Sequence, residues 1–170
     1  MKQHLLKSIV LCLALCLLLP AAVSCQGEPP HEPQANEEDY FSIGKIRFAV
    51  GQVVTEETLA PLGAQTREPE EAPNCAFDGK GKLYSFSGFE IETYVKNGLT
   101  YFYGVYFLDD SISTEKGITI GSTKDEVIAA YGQANDAKEG SLTYHRKGMD
   151  LVFFFRDDRV TRIHYLFTVS

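Results

Sequence analysis

Four cysteines, four histidines and two Asp-Asp doublets are the side chains of this 170-residue sequence whose types and spacing could carry chemistry. His145 and His164 stand in separate strand-like segments without ligands at zinc spacing, and neither HExxH nor CxxC occurs, so no metal site is expected. Asp109-Asp110 and Asp157-Asp158 fall at strand ends or turns, where Asp serves the backbone, and they supply too few oxygens at EF-hand spacing for calcium. No G-x-S-x-G and no phosphate loop is present. Ser85, Ser87 and His145 are conceivable as nucleophile and base, but strand serines beside a lone histidine are ordinary, and no catalytic residue is assigned. Cys75, in PNCAFDG, reads as a small buried hydrophobe, because its acidic surroundings would not stabilise a thiolate.

Cys25 is different because of what precedes it. Lys2 and Lys7 are followed by the apolar run IVLCLALCLLLPAA and then by the small residues Ala22-Val23-Ser24: a charged region, an apolar region and a cleavage zone. The run is marginal for a bilayer span, so residues 1–24 are read as a signal peptide. Ala-Val-Ser-Cys resembles the bacterial lipobox, with Ala22 where that motif usually has Leu. The resemblance implies cleavage before Cys25 and a covalent diacylglycerol and N-acyl lipid on it; an ordinary secretory signal and an uncleaved anchor are the alternatives. Several acyl chains, at about 0.8 kcal/mol per buried methylene, would make the anchor permanent. The expected place is the extracytoplasmic face of the cell membrane.

Losing the signal removes Cys12 and Cys16, leaves Cys75 without a disulfide partner, and takes two lysines from a formal charge of −7, giving −9. That charge disfavours nucleic acid and an anionic bilayer surface as partners. Residues 25–43 are expected to form a flexible tether: from Gln26 to Asp39 only Ala35 is apolar, and His31 is simply part of it. As a coil it would hold a domain at 44–170 roughly 25 Å from the lipid.

Within that domain a repeat organises the chain. KIRFAVGQVVTEETLAPLG at 45–63 matches EKGITIGSTKDEVIAAYG at 115–132: an apolar segment, Gly51 or Gly121, a polar start, one amphipathic helix, and Gly63 or Gly132 as the stop. Ser122 with Asp125 reads as the N-cap of the second helix and Thr55 as that of the first, while Pro61 predicts a shorter, less regular first helix. Strands follow each helix, at 82–88, 89–95 and 99–110, then at 141–146, 149–155 and 159–169. Tyr84 aligns with Tyr144, Ile91 with Leu151, Phe102 with Val160 and Val105 with Ile163. Asn97-Gly98 and Asp157-Asp158 supply hairpin turns. The expected fold is α+β: repeat 1 at 44–110 and repeat 2 at 114–169, forming one antiparallel sheet with helices on one face.

The string G-I-x-I-G-x-[ST]-x-[DE]-x-V, then [YL]-G, then a strand Tyr and a paired hairpin resembles the repeat of the β-lactamase-inhibitor-protein-like fold and the SmpA/OmlA lipoproteins. The CAFDG, GFEIETY and GITIGS strings are similar to small lipoproteins of Gram-positive anaerobes. Ala134 and Gln65 depart from the frequent Pro of that pattern. The resemblance implies a fold and, by the way such inhibitor proteins grip their targets, a role for the open sheet face; it names no target.

Strand alternation sorts the two faces. Phe89, Ile91, Val95, Val105, Phe107, Met149, Leu151, Phe153, Phe155, Ile163, Tyr165 and Phe167 are assigned to the helix-packed core. Glu90, Glu92, Tyr94, Phe102, Tyr106, Asp150, Phe154, Arg156, Val160, Arg162 and His164 are assigned to the opposite face. Aromatics interleaved with both charge signs read as a recognition face, with Tyr94, Phe102, Tyr106, Phe154, Arg162, His164, Glu90 and Glu92 as its binding residues. The competing reading is that the tether or the 64–81 loop covers it. The expectation is thus a non-catalytic, membrane-anchored module whose partner is a protein, or cell-wall material, without a cofactor beyond its lipid. A scaffold component of an envelope assembly is the second possibility and an enzyme with an unrecognised site the third.

Overall fold

The computed structural model describes residues 39–72 and 81–168. Cys25, the signal segment, the tether up to residue 38 and Cys75 lie outside the described residues.

The chain enters through a hairpin, β1 (Tyr40–Ile43) and β2 (Ile46–Ala49). This corrects the tether boundary, because Tyr40–Ile43 form a strand paired with β2, and Phe41, Ile43 and Phe48 are buried in the main core. Then come α1 (Glu56–Leu59), a 3-10 turn (Ala60–Leu62), and the strands β3 (Glu70–Glu71), β4 (Lys82–Phe86), β5 (Phe89–Lys96) and β6 (Leu99–Phe107). The second half contains α2 (Lys124–Tyr131), β7 (Asp136–Lys138), β8 (Ser141–Arg146), β9 (Met149–Arg156) and β10 (Arg159–Phe167). The strands from β3 onward make one eight-stranded antiparallel sheet in the order β3-β4-β5-β6-β10-β9-β8-β7. The fold is therefore mostly antiparallel sheet with two short helices. The edge strands β3 and β7 are short and exposed, a length that limits pairing with another chain.

Both helices are capped by threonine. Thr55 Oγ1 accepts the Thr58 amide at 3.2 Å, and Pro61 lies in the 3-10 turn that replaces further α-helix. At α2 the cap is Thr123, not Ser122: Thr123 Oγ1 accepts the Glu126 amide at 3.2 Å, and Glu126 Oε2 accepts the Thr123 amide at 2.7 Å. That reciprocal box leaves Ser122 Oγ to accept the Thr119 amide at 3.2 Å. Leu59 of α1 and Val127 of α2 join the hairpin phenylalanines against one sheet face. The core set assigned from alternation is found there except for Val95, which is half-buried outside the core cluster, and Phe155 is half-buried against it.

Phe102 and Val160 are corrections. Glu92 pairs with Gly104 and Thr93 with Phe102, so Tyr103 is an extra residue on β6. Phe155 pairs with Val160 and Phe154 with Arg162, so Thr161 is an extra residue on β10. Each bulge reverses side-chain parity beyond it. Phe102 consequently turns into the core at 3% exposure, with its ring 5.2 Å from Phe41 and 5.4 Å from Phe48, and Val160 is likewise buried. The residue just before each inverted position is bridged to the segment leading into a helix, Tyr101 to Val53 and Arg159 to Thr123.

Candidate functional site

Two rows of paired residues cross the sheet on the face away from the helices. One runs Thr143, Val152, His164, Tyr106, Glu90 and Ser85; the next runs His145, Asp150, Leu166, Gly104, Glu92 and Leu83. Because β6 and β10 are central, residues from sequence-distant hairpins become neighbours here. The His164 ring is 4.9 Å from Tyr106, edge-on, and 4.9 Å from Phe154. The Arg162 guanidinium lies 4.5 Å over the Phe154 ring. The Tyr106 hydroxyl donates to Glu92 Oε2 at 2.7 Å.

Electrostatics follow from this packing. Burial, and then the Arg162 charge, pull the His164 imidazole down to about 4, so it is neutral at physiological pH. Burial and the Glu92 carboxylate push the Tyr106 phenol far up, which makes it a fixed donor. His145, farther out, has Nδ1 at 2.8 Å from Asp150 and Nε2 at 3.1 Å from Asp136; the Asp150 hydrogen bond leads in raising its pKa.

Of the eight residues assigned to recognition, Tyr106, Phe154, Arg162 and His164 form one contiguous cluster. Glu92 is tied to it through Tyr106. Glu90 lies at the margin, where Arg67 Nη2 donates to its Oε1 at 2.8 Å and Ser85 Oγ donates at 3.0 Å. Tyr94 is on this side by register but only 7% exposed, with its ring 5.5 Å from Tyr101 and 6.3 Å from Tyr103. It is packed by these bulge-side tyrosines rather than presented as a contact. Phe102 belongs to the core. The described part of the 64–81 loop reaches this face at Arg67, beside Ser85 and Glu90.

The sequence assignment left out three apolar residues, of which Val152 is buried and Leu108 and Leu166 are exposed. Val152 lies beside His164, Leu166 beside Gly104, and Leu108 just past the end of β6; Leu108 and Leu166 are 55% and 37% exposed. Their even-numbered spacing from Phe154, Tyr106 and His164 was the available signal. Ser85 and His145, conceivable as a catalytic pair, sit on β4 and β8 with four strands between them. Among the described residues no group of three or more His, Cys, Asp or Glu side chains is placed to hold a metal ion. The patch sets flat rings and a stacked guanidinium side by side, with the Tyr106 hydroxyl already donating to Glu92. No protein-family model, curated protein or solved structure matches the chain.

Proposed function

We propose that this protein is an extracytoplasmic lipoprotein, anchored by lipid on Cys25, that recognises a protein partner through the open sheet face. The observation that carries this reading is the Tyr106-His164-Phe154-Arg162 cluster, flanked by exposed Leu108 and Leu166. Aromatic and arginine side chains dominate binding energy at protein interfaces.

A duplicated architecture, with the β-lactamase-inhibitor-protein-like arrangement, is part of the proposal. It is supported by the matched bulges at Tyr103 and Thr161, the matched bridges at Tyr101 and Arg159, and the mirrored strand order about β6 and β10. Two copies meeting edge to edge would make a face wider than either alone supplies.

The test places a photoreactive residue at Phe154, with a control at exposed Ala129 of α2, in cells making the full chain. Capture of one protein from position 154 and not from 129 supports recognition. Equal capture from both positions overturns it. Cys25→Ser is expected to release the protein from the membrane fraction, and retention there would remove the lipid anchor from the proposal.

A further inference from the structure

A second cluster lies on the other side of the β1–β2 hairpin from its core phenylalanines. Tyr40, Ser42, Arg47, Glu115, Lys116 and Arg146 line a pocket of about 180 Å³. Three cations meet one carboxylate there, in a chain whose formal charge is −7.

That carboxylate is already engaged. Glu115 Oε1 accepts from the Arg146 guanidinium and from the Tyr131 hydroxyl at 3.1 Å, while Oε2 accepts from the Tyr165 hydroxyl at 2.9 Å. Burial pushes the Glu115 carboxyl up, but Arg146, a backbone hydrogen bond and the Tyr165 hydroxyl more than offset it and hold it ionised. The other two cations are braced by rings: Arg47 lies 4.1 Å over Tyr40, and Lys116 lies 5.1 Å over Tyr131. Among the described residues neither Arg47 nor Lys116 has a carboxylate partner.

Ser42, the cross-strand neighbour of Arg47, adds an independent observation. The residue is only 9% exposed and lines this pocket, and its hydroxyl makes no hydrogen bond among the described residues. A nearly buried hydroxyl without a partner is uncommon, because desolvating it costs free energy that a bound acceptor would restore.

We propose that this pocket binds a phosphate group. A tetrahedral anion of charge up to two accepts from several directions at once, which suits guanidinium, ammonium and hydroxyl donors converging from three segments of chain. The uncompensated charge of the lining, three cations less Glu115, is two, which a phosphate or monoester dianion offsets in full and a diester monoanion by half. Two sources share this chemistry: a free phosphate or phosphate monoester, and the phosphodiester of a lipid headgroup. The second rests on the lipid anchor proposed above, because Tyr40 of the pocket wall closely follows the tether.

The full chain in neutral detergent is titrated with inorganic phosphate and, separately, with glycerophosphoglycerol, the deacylated headgroup of phosphatidylglycerol. Saturable binding of inorganic phosphate as the tighter ligand supports a free-phosphate site; tighter binding of the diester supports a headgroup site. Arg47 and Lys116 are both exposed, so R47Q/K116Q should fold, which its thermal melt checks. In either case R47Q/K116Q is expected to weaken binding by at least about tenfold, since each removes a charge-assisted donor. Ser42→Ala is expected to weaken it less. Absence of saturable binding of both ligands, or unchanged binding by a folded R47Q/K116Q, overturns the proposal. Neither outcome depends on whether the open sheet face captures a protein.

Discussion

The ring of Tyr106 lies against Gly104: a Cβ at position 104 would stand 2.3 Å from the Tyr106 hydroxyl oxygen and 2.5 Å from the ring carbon that bears it. The glycine opens a flat floor in the sheet over which the phenol reaches Glu92, which is paired with Gly104 on the next strand. Replacing a strand glycine by alanine ordinarily stabilises by about 0.5–1 kcal/mol. Here the sign reverses. Gly104→Ala is expected to destabilise by about 1–3 kcal/mol by expelling the ring, and to weaken partner capture, both measured against the unaltered chain by denaturant titration and crosslinking. Tyr106→Phe keeps the ring and removes only the donor, so a smaller loss of about 1 kcal/mol is expected.

Phe102 and Phe154 separate stability from recognition. Phe102 is packed among Phe41, Phe48 and Phe167, and Phe102→Ala is expected to cost about 3–5 kcal/mol in chemical denaturation. Half-buried Phe154 on the open face is expected to cost less than about 1 kcal/mol as alanine while abolishing partner capture.

Two histidines give opposite pH dependences. His164 is depressed from its ordinary 6.5 to about 4, so between those values the unfolded chain binds the extra proton and stability falls as pH falls. Its partial exposure screens the effect, which is expected to be about 1 kcal/mol between pH 7 and pH 4. His145 is raised by Asp150 and Asp136; its contribution is present below its ordinary pKa and is lost as pH rises through the raised one. Denaturation across pH 4–8 of His164→Gln and His145→Gln should remove the acid-side loss and the neutral-side loss respectively. A curve unchanged by His164→Gln would contradict the packing of its ring.

The β9–β10 turn carries a local cost. Asp157 and Asp158 have φ of 50° and 56°, whereas the β5–β6 turn uses Asn97 at 53° and Gly98 at 77°. Asp tolerates this region less well than Gly, so Asp158→Gly is expected to stabilise by about 0.5 kcal/mol, read as a higher denaturation midpoint. A lower midpoint would mean that the aspartate side chain contributes more than its backbone costs.

Much of the fold was legible because its signals are local. Asn97-Gly98 and Asp157-Asp158 announce two-residue turns, Thr55 and Pro61 mark a short first helix, and alternation over Phe89–Lys96 and Met149–Arg156 sorts a buried face from an open one. Tyr40–Ile43 escaped because the polar, proline-containing stretch before it masks a four-residue strand that gains its pairing only from β2. Of the open-face cluster, Tyr106, Phe154, Arg162 and His164 were legible, since period-two spacing holds on each strand up to the bulge.

The sequence by itself determined two hairpin turns, the order of the two helices and the six longest strands, the apolar alternation and the acidic charge, but not the short strands β1, β3 and β7. Tertiary structure decided which side Phe102 and Val160 occupy, because one extra residue in a strand reverses every side chain beyond it and is defined only by what the neighbouring strand pairs with. It also decided that Glu115 would meet Arg146 and Tyr165, and that Tyr106 would lie over Gly104 beside His164. Those contacts join residues far apart in sequence, and no local periodicity encodes a distance across the fold.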